Sequence, residues 1–155
     1  VKPGDIVFGH GKKTDWLPGY WTHVGMIAYY DSSVGEWIVV ESNPTPGVEL
    51  SLLSEFLRGH DDVAVARVKT TDSIRLAAVN FALSHLGDSY DFELWEKEVY
   101  DNAYYCSELF WAAYIAVGGP DIDRYPGWHW KYLNSVAPQE VYDDGDTYVI
   151  YRHKS

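Results

Sequence analysis

One cysteine in 155 residues, Cys106, excludes an internal disulfide, so the thiol needs another explanation and the redox compartment stays open. Basic residues are also scarce. Twelve Lys and Arg against 23 Asp and Glu leave a net charge of −11, which repels a polyphosphate backbone, so nucleic acid is not an expected partner. Long apolar runs are missing: the longest, Leu109 to Val117, is nine residues, about half of what a bilayer-spanning helix needs. Metal signatures are missing too, since the six histidines form no HExxH or short paired spacing and one cysteine cannot build a zinc cluster. No metal or cofactor is expected. The segment from Gly9 to Thr14 lacks the glycine spacing of a phosphate loop, and no G-x-S-x-G elbow marks a serine hydrolase. There is no repeat, low-complexity tract or linker, and a composition 46% hydrophobic and 23% charged excludes disorder. Residues 1–155 therefore read as one domain with a real core. The chain starts at Val1 without a charged-then-apolar leader, which reads as a trimmed or processed form. An upstream signal would make it an exported or cell-envelope protein, and otherwise it is cytoplasmic; oligomeric state is not legible.

What is present reads as strands, then helices, then a strand. Asp5 to Gly9 follows a Pro3-Gly4 turn as a short strand, and Lys12 to Tyr20 is a loop. His23 to Tyr30 and Glu36 to Glu41 are rich in β-branched and aromatic residues, and residues 31–35 between them carry turn formers, which makes a hairpin. Asn43 to Gly47 breaks the chain before a strand at Val48 to Leu50, a short helix at Leu52 to Leu57 and a strand at Val63 to Val68. Ile74, Ala77, Ala78, Phe81 and Leu86 recur at helical spacing, with Thr71, Asp72 and Ser73 as capping candidates and Gly87 as the stop. A second helix starts between Asn102 and Cys106 and ends at Gly118-Gly119-Pro120. An aromatic loop, Tyr125 to Tyr132, precedes a last strand from Thr147 to Arg152. This order predicts an α+β fold with a mostly antiparallel sheet.

Hairpin arithmetic asks whether distant polar residues can meet. A five-residue loop at 31–35 pairs Tyr30 with Glu36, hence Gly25 with Glu41 and His23 with Asn43, all on one face. Glu41 is then a diagonal neighbour of His23, and Gly25 leaves room between them. Taken alone, His23 is equally a half-buried strand-end histidine with a satisfied hydrogen bond. Cys106 near a helix start gains thiolate character from free N–H groups and the helix dipole. It also falls on one stripe with Leu109, Phe110, Ala113 and Val117, which fits a core cysteine as well. A thiol nucleophile needs an imidazole to move its proton and a polar group to hold the imidazole, and His23 and Glu41 can supply both. Glu108 points to a different side of the helix from Cys106. Trp21, Tyr90, Tyr104 and Tyr105 can wall a substrate cleft, Asp91 is a substrate-side carboxylate candidate, and either tyrosine beside Cys106 can join its N–H in an oxyanion hole.

The blocks Pro3–Phe8, Thr22–Ile27, Val39–Ser42, Gly87–Asp91 and Tyr104–Leu109 resemble, in order and spacing, the YiiX-like permuted papain-fold amidases. These are similar to the wider NlpC-type superfamily that includes lecithin retinol acyltransferase-like proteins. The resemblance covers residues 3 to about 118. It implies a circularly permuted papain-like fold, in which the histidine strand comes before the cysteine helix, and it implies Cys106 as nucleophile, His23 as base and Glu41 as the orienting residue. The expected function is thiol-dependent hydrolysis of an amide in a small peptide or cell-wall-type substrate through a Cys106 thioester. A thiol acyltransferase or lipid-acyl hydrolase using the same residues is the first alternative. A non-catalytic module binding a small molecule or peptide is the second.

Overall fold

The computed structural model describes residues 1–11, 20–43, 47–88, 108–122 and 138–154. Six strands form one sheet: β1 (Ile6–His10), β2 (His23–Asp31), β3 (Glu36–Asn43), β4 (Gly47–Leu52), β5 (Asp62–Val68) and β6 (Thr147–Lys154). Their order across the sheet is β4-β3-β2-β1-β5-β6, and each recorded neighbour pairing is antiparallel. Four helices complete the described fold: α1 (Leu53–Arg58), α2 (Asp72–Ser84), α3 (Glu108–Ala116) and α4 (Pro138–Asp143). The α+β class and the antiparallel sheet are as expected.

Strand alternation explains why both faces of the sheet are apolar. Ile6, Phe8, Val24, Met26, Ala64 and Ala66 point to the main core, which α2 and α3 close with Ala78, Ala82, Leu109, Phe110 and Ala113. The alternate residues Val7, Ile27, Val39, Val63 and Val65 point the other way and pack with Phe56 of the short helix α1. Small residues on α2 and α3 let the two helices sit close. Thr71 caps α2 by accepting the Ile74 N–H at 3.2 Å, one of the three capping residues anticipated. α4 was not anticipated from the sequence.

The β2–β3 hairpin departs from the expected register near its turn and returns to it at the site. Asp31 pairs with Glu36 and Tyr30 with Trp37, not with Glu36, so the turn has one residue fewer than the arithmetic assumed. The cause is local chemistry. The Asp31 side chain accepts from Ser33 N–H (2.9 Å) and Ser33 hydroxyl (2.6 Å), its carbonyl accepts from Gly35 N–H (2.8 Å), and Gly35 takes a left-handed φ of 71°. A bulge between Ile27 and Tyr29 absorbs the displaced residue, and Ile27–Val39, Met26–Val40 and Gly25–Glu41 pair as expected.

Candidate active site

His23 is the first residue of β2 and pairs with Gly9 of β1, while Glu41 lies on β3 directly opposite Gly25. Both side chains point to the α1 face, and α3 covers the opposite face. The diagonal contact forms: His23 Nε2–H donates to Glu41 Oε1 at 3.0 Å, with His23 fully buried and Glu41 nearly so. Asn43 Nδ2 donates to the same oxygen at 2.7 Å, and the Ser51 hydroxyl donates to Oε2. Burial by itself would raise the Glu41 carboxyl. The hydrogen bond and charge of His23, with the Ser51 and Asn43 donors, outweigh it and lower the pKa to about 2. Glu41 is therefore a fixed anion that holds one imidazole nitrogen.

The ring of His23 rests on two others. Phe56 lies 5.6 Å away at 20° and His60 5.7 Å away at 16°, centroid to centroid. Phe56 and His60 are themselves 4.6 Å apart, so both lie on the same face of His23; rings on opposite faces would stand about twice as far from each other as from His23. His60 Nδ1–H donates to the Phe56 carbonyl at 2.9 Å. His60 also borders a small cavity beside Glu41, Glu49 and Ser51, and a cleft of about 450 Å³ lined with Leu57, Arg58, Val63, Tyr151 and His153.

Two glycines make this packing possible. A Cβ on Gly9 would lie 2.4 Å from the His60 ring, and one on Gly25 would lie 2.6 Å from Val39 Cγ1 and 3.4 Å from Phe56. The Gly25 expectation is thereby corrected: the space above it holds Val39 and Phe56, not a reacting group.

His23 and Glu41 are brought together as the sequence indicated, and Asn43 joins them through its amide. Trp21 lies in the main core, 1% exposed, its ring 5.9 Å from Phe8 and 5.1 Å from Tyr142 with the Arg152 guanidinium 4.9 Å away, so its surface is taken up by packing. Cys106, Tyr90, Asp91, Tyr104 and Tyr105 lie outside the described residues. Glu108 is buried at the first described position of α3. Ser51, Phe56 and His60 were missed. Alternation along β4 could have found Ser51, which pairs with Val39 and shares the Glu41 face; His60 had been weighed only as a metal ligand. Among the described residues no three His, Cys, Asp or Glu side chains cluster as a metal site, and no helix is long and apolar enough to cross a membrane.

The architecture is similar to the crystal structure of metalloprotein yiiX from Escherichia coli O157:H7, with a TM-score of 0.79 over 99% of this chain and 98% of that one; at 18% identity this shows a shared fold. The chain is also 33% identical over 107 residues to the uncharacterized protein YycO of Bacillus subtilis (strain 168). That match takes in 68% of this chain and 41% of the relative, so the chain spans less than half of that protein's length. The family described as permuted papain-like amidase enzyme, YaeF/YiiX, C92 family, matches residues 1–151, and the chain belongs to it.

Proposed function

We propose that this protein is a cysteine amidase or peptidase that cleaves an amide in a small peptide or cell-wall-type substrate, with Cys106 as nucleophile, His23 as general base and acid, and Glu41 as the orienting carboxylate. Family membership supports a papain-like amidase in general. The observation that carries the assignment of roles is the buried His23–Glu41 pair. Glu41 holds Nε2, so the proton traffic falls to Nδ1. In this reading Nδ1 takes the Cys106 thiol proton, the thiolate attacks the amide carbonyl carbon, and the imidazolium returns the proton to the leaving amine nitrogen. Water then attacks the thioester with Nδ1 as base, releasing the carboxylic acid and the thiol. The Cys106 N–H with Tyr104 or Tyr105 is the proposed oxyanion hole, and Tyr90 and Asp91 are proposed on the substrate side.

Cys106 lies two positions before the first described residue of α3, whose body covers the face opposite His23. The mechanism therefore requires the thiol to meet the imidazole at the end of β2. Intact-mass spectrometry with a panel of amide and acyl-ester probes tests the chemistry. A probe-sized mass gain is expected in the wild type and not in Cys106→Ala. A three-carbon bis-electrophile such as 1,3-dibromoacetone tests the geometry, since it should bridge Cys106 to His23. Turnover undiminished in Cys106→Ala overturns the proposal. No adduct, with iodoacetamide reactivity at about pH 6 no faster than that of a thiol of pKa about 8.5, makes the chain a binding module.

A further inference from the structure

We infer that Ser51 is a positioning residue for Glu41: its hydroxyl, reaching over from β4, holds Oε2 and so keeps Oε1 turned to the imidazole of His23. This deepens the proposed function and rests on it. Glu41 Oε1 takes two donors, His23 Nε2–H at 3.0 Å and Asn43 Nδ2–H at 2.7 Å. Both meet the same oxygen, so they fix a point about which the carboxylate can still pivot, because the torsion that carries a carboxylate has broad wells. Among the described residues the donor to the other oxygen is the Ser51 hydroxyl. Two oxygens tied to different partners fix the plane of the group, and a base is aimed only as well as the anion that orients it.

Strand register puts Ser51 in place. Val39 pairs with Ser51 and Glu41 with Glu49, so Ser51 is a diagonal neighbour of Glu41 on the same face. Asn43 holds the carboxylate from its own strand and Ser51 from the next one, which ties it across the β3–β4 ladder. The surroundings call for such a donor. Glu49 stands directly opposite Glu41, and Glu49, Glu55 and His60 line the same small cavity, about 90 Å³, as Glu41 and Ser51. Like charges opposite one another in a ladder repel, and a charge-assisted hydrogen bond offsets that. Burial opposes the ionised carboxylate, while His23, Ser51 and Asn43, in that order, hold it well below the usual carboxylate range. No step of the proposed reaction asks Ser51 to touch substrate, so its effect belongs in kcat through Glu41 and His23.

Two variants separate the hydroxyl from the position. Ser51→Ala removes it, and Ser51→Thr keeps it on a residue that strands favour. With p-nitrophenyl acetate as probe, Ser51→Ala should lower kcat by about tenfold with KM changed less than about twofold, whereas Ser51→Thr should stay within about threefold of wild type. A second readout needs no turnover. The ¹³C NMR line of the Glu41 carboxyl, assigned by its loss in Glu41→Gln, should keep its ionised position from about pH 6 to about pH 3.5 in wild type and Ser51→Thr, and should titrate about one unit or more higher in Ser51→Ala. A wild-type kcat in Ser51→Ala, an equal loss in Ser51→Thr, or a Glu41 line that titrates no higher in Ser51→Ala each overturns the inference. If Cys106→Ala hydrolyses the ester as fast as wild type the catalytic reading fails, and the titration alone then decides whether Ser51 holds the carboxylate.

Discussion

Glu41 shows how a buried carboxylate can be kept ionised: His23, Asn43 and Ser51 all donate to it, and its pKa falls from 4.5 to about 2. A folded-state pKa below the unfolded one adds stability above the ordinary carboxylate range, and this is lost as pH falls from about 4.5 toward 2. The shift corresponds to a contribution on the order of 3 kcal/mol. Glu41→Gln should therefore flatten the fall in stability between about pH 6 and pH 3 measured by urea denaturation, and an unchanged profile would show that the carboxylate is not the sensor. The same variant removes the negative charge and leaves a single acceptor oxygen facing His23 and Asn43, so the imidazole is held by a weaker, neutral partner. Its kcat on acyl probes should drop about 10- to 100-fold. The pairing of His23 with Glu41 was legible because strand parity is a property of the sequence. His60 was not, because its seat depends on a glycine in β1 that is near it only after folding.

At the scale of elements, the hairpin reached the expected pairing by an unexpected route. The turn chemistry of Asp31 and Gly35 shortened the loop, and the bulge at Ala28 restored the ladder inward of it. Turn composition alone does not distinguish these routes, since Asp31 both caps the turn and joins the ladder. Inward of the bulge, the close approach of Gly25 and Val39 is testable by a double-mutant cycle. Gly25→Ala should cost about 1–3 kcal/mol in wild type and measurably less in a Val39→Ala background, because the atom it strikes has been removed. Additive costs in chemical denaturation would show that the contact is not the source of strain.

Across the whole molecule, two buried aspartates tie the sheet together. Arg67 on β5 grips Asp5 at the entry to β1 through two 2.9 Å bonds, and Arg152 on β6 grips Asp62 on β5. Asp5 is fully buried, so Arg67→Met leaves its charge without its main partner and should cost about 3–5 kcal/mol in urea unfolding; a loss below about 1 kcal/mol would mean that water or another cation takes over. The architecture was legible in outline because apolar runs, β-branched and aromatic stretches and the turn residues between them marked the strands, while the second, smaller layer around α1 depends on contacts between segments that no local pattern records. His23, Glu41, Asn43, Ser51, Phe56 and His60 all fall between positions 23 and 60, on three successive strands, α1 and the two residues after it. The base half of the proposed site is thus a cassette. A chain opened and rejoined outside that stretch, with the thiol segment placed before or after it, would keep His23 joined in sequence to Glu41, Asn43, Ser51 and Phe56, while its β1 neighbour Gly9 lies outside it.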